Sequence, residues 1–380
     1  MIQQIHPNAG QTYDIREIIK YLKTIHKDWE ITVLTARIPY FNMEDLAIDL
    51  VNIKKIDQLY SSMVFRRKLA KMLKEYDIIY IKGSYPYVFP AVQSGRPTIL
   101  VVHQMDSWHL FSGFSKKLRI TITNVITGFV IRKPDVVVTI SDELGTFYKK
   151  KYGINIKVIE DQIPDIYFNH KKRDSVSPSA TIKLLTVGNW DGYEGRKRHH
   201  ILLRFFADAT KQIPSLHLSM VGLSSGNIEE LREICQDMGI SKNVDLQGYL
   251  SDLELSKEYL ENYIYVTATT YEGFYRQIVE GFASGMPALA FNSILVTDEL
   301  ASAASANHII KSCGGRLFED SESFLSALKD ILDHYHEFSQ NAYNYSKRFS
   351  KEMIGYKTDR LLNEILEGEM NGRYFHKRRL

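Results

Sequence analysis

Short apolar runs alternate with segments of helical periodicity along nearly the whole chain. Met1–Ile5, Glu30–Ala36, Asp77–Gly83, Thr98–His103 and Asp135–Ser141 are rich in Ile and Val. Runs of this kind predict strands buried on both faces of a parallel sheet. Between them, Tyr13–His26 puts Ile15, Ile18, Ile19, Leu22 and Ile25 on one helical face, and residues 61–76 are basic and amphipathic. Ser141, Asp142 and Glu143 supply an N-cap and early acids for another helix. The pattern then breaks at HKKRDSVSPSAT, residues 170–181, which is charged, Ser-rich and interrupted by Pro178. It restarts with Leu184–Gly188, Leu216–Gly222, Val244–Gly248, Ile264–Ala268 and Ala288–Phe291, again separated by helical patterns. Ile201, Leu202, Phe205, Phe206 and Ala209 mark the first of these. Two rounds of strand–helix alternation predict two doubly wound α/β domains in tandem, at 1–169 and 182–345 with 170–181 as linker. The end of the chain, from Asn341 to Leu366, has helical character and no further strand. Residues 346–380 are expected to pack back on the first domain and to finish in a basic tail.

A length of 380 residues is in keeping with two cores. The net charge of +3 hides an asymmetry: residues 1–165 carry 23 basic and 17 acidic side chains, whereas 182–345 carry 13 and 22. A basic front half predicts contact with an anionic surface, of which a membrane is one candidate. Residues 61–76 and 116–133, basic and apolar by turns, are read either as a bilayer contact or as ordinary helices packing on a sheet. Cys235 and Cys313 are far apart and lack metal-ligand spacing, which excludes a disulfide framework. No window has the roughly 18 apolar residues of a membrane span, and the first residues do not read as a secretory leader. The expectation is a cytoplasmic protein, peripheral to a membrane at most, with no nucleic-acid signal.

Ligands of doubly wound sheets lie beyond the carboxyl ends of the strands. The loop after Ile264–Ala268 holds the strongest candidate: Tyr271-Glu272-Gly273-Phe274-Tyr275-Arg276-Gln277-Ile278-Val279-Glu280, followed by Gly281-Phe282-Ala283-Ser284-Gly285-Met286-Pro287. Gly273 permits a tight turn, and the amides of Phe274, Tyr275 and Arg276 start a helix suited to an anion such as a diphosphate. Glu280, two turns in, is placed for a ribose diol, and Glu272, at the mouth, for a transferred group. A second loop, Val187-Gly188-Asn189-Trp190-Asp191-Gly192-Tyr193-Glu194-Gly195-Arg196-Lys197, also joins a strand to a helix and brings positive charge. The first domain offers Gly10 in the loop from His6 to Thr12, His103 at the end of a strand, and Lys82 and Asp106 in other post-strand loops.

The segment from Glu272 to Glu280 resembles the E-x7-E signature of retaining glycosyltransferases of family 4. The resemblance runs from about Leu184 to Phe318 and more loosely over the whole chain. It implies GT-B architecture, with two Rossmann-like domains facing across a cleft, and a nucleotide-sugar donor held by the second domain without any metal or other cofactor. It implies that Glu280 binds ribose, that Glu272 binds the donor sugar, and that Gly188 and Lys197 belong to the diphosphate clamp. Asn189 stands where the family carries an arginine, leaving Arg196 or Arg198 to supply that charge. Tyr275 stands where the family has glycine; its bulk either narrows the sugar pocket or turns away from the cleft onto the helix packing surface. Gly10 matches a loop facing the donor phosphates, His103 a histidine close to the donor sugar, and Tyr249 and Leu250 a loop bracketing the nucleobase. Lys82 and Asp106 are assigned to the acceptor, expected to be a glycan or a lipid-linked saccharide. The reading is thus a retaining glycosyltransferase in which Glu272, Lys197 and His103 carry the chemistry. Two rivals are kept: a nucleotide-sugar epimerase on the same fold, and a sugar-binding paralogue of weak activity.

Overall fold

The computed structural model describes residues 2–3, 10–35, 52–55, 63–82, 87–103, 121–122, 125–169, 181–190, 192–193, 195–270, 272–295 and 303–370. The chain divides into two units, one made of residues 1–162 together with 351–380, the other of residues 163–350. The division therefore falls at Gln162, eight residues before the Ser-rich stretch read as the linker.

In the first unit the strands are β1 (Ile2–Gln3), β2 (Thr32–Thr35), β3 (Asn52–Lys55), β4 (Ile79–Lys82), β5 (Thr98–Val102), β6 (Val136–Thr139) and β7 (Ile156–Val158). They pair in parallel in the order β3-β2-β1-β4-β5-β6-β7. The helices include α1 (Gly10–Ile25), α2 (Met63–Leu73), α3 (Val88–Ser94) and α4 (Asp142–Tyr152). Ser141 caps α4 by accepting from the Leu144 amide at 3.2 Å. Strands β4 and β5 are buried along their whole length, which explains why all but Lys82 and Thr98 in them are apolar or aromatic.

The second unit holds β8 (Ile182–Val187), α5 (His199–Thr210), β9 (Leu216–Val221), α6 (Ser225–Asp237), β10 (Val244–Leu246), α7 (Asp252–Glu261), β11 (Ile264–Thr267), α8 (Arg276–Ala283), β12 (Ala288–Phe291), α9 (Ala304–Ser312), β13 (Gly315–Phe318), α10 (Ser321–Asp333) and α11 (Tyr335–Ser346). Its parallel sheet has the order β10-β9-β8-β11-β12-β13. The core is packed from Leu184, Leu202, Phe206, Leu218, Val266 and Phe318, among others. Gly315 sits so close to the neighbouring strand that a Cβ there would overlap the Ala288 carbonyl.

The terminal helical stretch is two helices rather than one. After α11 a short 3₁₀ turn, Lys347–Phe349, redirects the chain into α12 (Lys351–Met370), which belongs to the first unit and lies on α1. Contact between α12 and α1 is intimate because Gly355 faces the Tyr21 ring, where any side chain would collide. Beside it, His26 Nε2 meets Asp359 Oδ1 at 2.6 Å.

Candidate functional site

The second sheet reverses its strand order between β8 and β11. A doubly wound sheet opens a crevice at this switch point, beyond the carboxyl ends of the two strands. The loops that leave β8 and β11 are the two that carry the strongest sequence signals, so topology brings them together.

At that point Lys197, just before α5, extends its buried side chain toward β11. Its ammonium donates to Glu272 Oε1 at 2.9 Å, and the exposed Arg196 guanidinium pairs with the same oxygen. The Lys197 nitrogen also lies 4.4 Å from the centre of the Tyr275 ring, a favourable place for a cation over a π face. Burial pulls the lysine pKa down, but Glu272 and Tyr275 outweigh it, so the net shift is upward and the ammonium stays charged. Gly188 has φ of +142°, and a Cβ there would press on the Lys197 stem. Glycine is therefore required at 188 by both backbone and space. The Gly188 carbonyl is held by His199 Nε2 at 2.9 Å, which ties the end of β8 to the start of α5.

Asn189 has a different task from the arginine it replaces. Its Oδ1 accepts from the Ser224 amide at 2.9 Å and from Asn227 Nδ2 at 2.8 Å, so it fastens the start of α6. Arg198 lies over the Phe291 ring at 4.9 Å. Of the two arginines left open by the sequence, Arg196 is the one beside Lys197 and Glu272. The loop after β10 is laid against the loop after β9: the Gly222 amide donates to Gly248 O at 3.0 Å and Leu223 N to Gln247 O at 3.1 Å. Tyr249 is exposed on this rim and Leu250 half-buried.

Helix α8 begins at Arg276 without a capping side chain. Of the two directions open to the Tyr275 ring, the structure shows the one away from the cleft. The Tyr275 side chain is only 1% exposed. Its hydroxyl is shared with Thr267 Oγ1 at 3.0 Å, Tyr265 OH at 3.2 Å and Thr269 Oγ1 at 3.2 Å. The ring therefore does not narrow a sugar pocket; the polar end of β11 offers its hydroxyl three partners and draws it inward. Phe274 likewise turns its ring onto His308 and Phe349, with centroids 5.1 and 5.5 Å away. Both residues, with Gly273, keep only their backbone for a ligand. The Arg276 guanidinium is directed along its own helix to Glu280 Oε1 at 2.9 Å, and Tyr259 OH donates to Oε2 at 3.0 Å. Glu280 is buried. Desolvation raises its pKa, against the opposing pull of Arg276 and Tyr259. Around it, Tyr167 stacks edge-on to Tyr259 and donates to Asp252 at 3.2 Å.

In the first unit, β4 and β5 deliver Lys82 and His103 to one carboxylate, Asp161, at 3.3 and 3.5 Å. All three side chains are largely buried. Gly10 is the first residue of α1, and the loop before it lies outside the described residues, as does Asp106. Among the described residues no three His, Cys, Asp or Glu side chains gather as a metal site.

Two family models cover most of the chain: Glycosyltransferase Family 4 over residues 9–161 and Glycosyl transferases group 1 over residues 168–348. The chain is a GT-B glycosyltransferase of the family 4 kind. A UDP-N-acetylglucosamine–peptide N-acetylglucosaminyltransferase GtfA subunit of Streptococcus pneumoniae is 29% identical over 150 residues. That match takes in 36% of this chain and 28% of the relative's length. Among solved structures, Anabaena HepE in complex with UDP and glucose superposes with TM-score 0.70 at 18% identity, covering 96% of this chain and 98% of HepE. The sucrose-phosphate synthase of Thermosynechococcus elongatus gives 0.69 at 15% identity, covering 95% and 94%. These likenesses show the fold.

Several residues in contact with the candidate positions carry no mark in the sequence. Asp161 follows β7, a strand too short and polar to be noticed, so an acid placed directly after a strand drew no attention. Tyr259, Tyr167 and His199 act by contacts that only the folded chain creates.

Proposed function

We propose that the protein is a retaining, metal-independent transferase that takes a sugar from a nucleoside-diphosphate donor. The observation that carries the proposal is the cluster at the β8–β11 switch point: a buried, charged Lys197, Arg196 beside it, and the uncapped start of α8. Such a place suits a diphosphate, whose negative charge grows as the glycosidic bond breaks. Lys197 and Arg196 would neutralise that charge without a divalent ion. Glu280 would accept from ribose hydroxyls, Glu272 would turn from the cations to the sugar, and the loop at Tyr249 and Leu250 would bracket the base. From the first unit, His103 would meet a sugar hydroxyl, and Lys82, held by Asp161, the acceptor. Retention and these roles follow the family pattern. The glycosyltransferase family match favours neither an epimerase nor a silent paralogue.

Slow donor hydrolysis tests the proposal. The protein is incubated in EDTA with UDP-, GDP- and ADP-sugars, and the released sugar is followed by NMR before it mutarotates. A sugar released with the donor's anomeric configuration is expected. An inverted sugar, an epimerised donor, or activity only with added magnesium would overturn the reading.

A further inference from the structure

One face of the first unit combines apolar exposure with positive charge. Residues 121–122 and 125–130 are helical. Ile122, Val125, Ile126 and Phe129 recur at i, i+3, i+4 and i+7, the spacing of a single helical stripe. A stripe of this kind normally faces a core. Here the four side chains are 52%, 70%, 53% and 57% exposed. The opposite side of the same turns is buried through Thr127, Val130 and Ile131, so the helix is already seated on the unit and the stripe is a second apolar face.

The stripe is continuous with the basic surface of α2. Phe129 lies 6.2 Å from Phe89 of α3, and the Arg66 guanidinium of α2 sits 5.8 Å over that Phe89 ring. On its other side Lys133 places its ammonium 4.6 Å over Phe129. The outer face of α2 presents Arg67, Lys68 and Lys71 to solvent, with Lys74 following. The described residues of the two segments that build this face, 63–74, 121–122 and 125–134, hold seven Lys and Arg and no Asp or Glu.

We infer that this face docks the protein on an anionic lipid bilayer, with Val125, Ile126 and Phe129 entering the acyl boundary and the α2 cations resting on the headgroups. The occupant is identified by charge and by shape. Seven cations without an acid among them match a continuous anionic plane, and an exposed stripe flanked by basic residues is the geometry of an interfacial helix. Among the described residues no helix is long and apolar enough to cross a membrane, so attachment by this face would be peripheral. The inference uses none of the residues assigned to the donor.

Sedimentation with vesicles tests it. The full chain is mixed at low salt with vesicles of phosphatidylcholine alone or with about one third phosphatidylglycerol. Binding to the anionic vesicles only, weakened by salt, is expected. Each cation near such a surface contributes about fivefold to partition, so Lys68→Ala/Lys71→Ala should lose about 25-fold. Burial of one exposed apolar side chain is worth about tenfold or more, so Val125→Asp should lose at least that much. Val125→Trp, at the most exposed position, should shift its emission to the blue and be quenched by brominated lipid on binding. Failure of the wild type to pellet with anionic vesicles would overturn the inference. So would full binding by folded Val125→Asp, or an unshifted tryptophan. A stripe that instead governs self-association would show as wild-type dimers dispersed by Val125→Asp without any vesicle binding, and that too would overturn it.

Discussion

Replacing Glu272 by glutamine isolates the contact on which the candidate site turns. The substitution keeps the shape of the side chain and removes one negative charge from a point that serves both Lys197 and Arg196. Arg196 is exposed and loses little, because water screens it. Lys197 is buried and loses its anionic partner. A charge-assisted hydrogen bond is worth about 1.5–3 kcal/mol; with the Tyr275 ring still beneath the ammonium, a loss of about 2 kcal/mol is expected at pH 7. The pH dependence has a definite sign. In the wild type the folded-state lysine pKa is raised, so its contribution is complete below the ordinary lysine value and fades only at still higher pH. Without Glu272, burial dominates and the folded-state pKa falls. The variant then carries its penalty at neutral pH and regains stability as pH rises toward the ordinary lysine value. Urea unfolding at pH 7 and at alkaline pH would show the gap from wild type closing. On the functional side, two cations freed from a carboxylate should bind a nucleoside diphosphate about tenfold more tightly, close to 1.4 kcal/mol, while turnover falls because the sugar loses its contact. Calorimetry with UDP, GDP and ADP reads this directly. Unchanged stability at pH 7 together with unchanged or weaker diphosphate affinity would refute the reasoning.

Glu280→Gln should weaken nucleoside binding yet match or exceed wild-type stability at pH 7, because burial raises the carboxyl pKa and ionisation there costs the fold. That cost is complete above the folded-state pKa and disappears as pH falls through it to the ordinary glutamate value, so the two proteins should converge in acid; thermal melts over that range and calorimetry provide the check. Tyr275→Gly should leave the range of accepted sugars unchanged and lower stability by about 3 kcal/mol, the cost of emptying a buried aromatic site; a broadened donor range in a panel of nucleotide sugars would contradict the buried ring. Gly355→Ala should cost about 2 kcal/mol by forcing α12 off Tyr21, and adding Tyr21→Ala should recover part of the loss in the same melting assay.

The central strands were legible because they are covered on both faces and so are largely apolar. Strands β4, β5, β8, β11 and β12 all came from that signal. Three strands were not seen: β3, β7 and β13. All lie at sheet edges, where Asn52-Ile53-Lys54-Lys55 can carry charge and where Ile156–Val158 needs only three residues. The break between α11 and α12 was missed because Lys347–Phe349 contains no glycine or proline, and a 3₁₀ turn of ordinary residues has no sequence mark. At the site, the positions of Glu272 and Glu280 followed from local spacing after a strand. The direction of the Tyr275 ring could not, since it is set by Thr267, Thr269 and Tyr265, whose hydroxyls converge only when β11 is in place. The double role of Glu272 as anchor for Lys197 and Arg196 is also a product of topology, because the two loops are about 75 residues apart and meet only where the strand order reverses.

The most direct test of the donor-site assignment is calorimetric titration of the wild type and Lys197→Met with UDP, GDP and ADP in EDTA. Saturable, metal-free binding of at least one of the three by the wild type is expected, with a loss of about tenfold or more in the folded methionine variant, the value of one charge-assisted bond to phosphate. Binding that appears only with a divalent ion, no binding of any of the three, or equal affinity in Lys197→Met would contradict it.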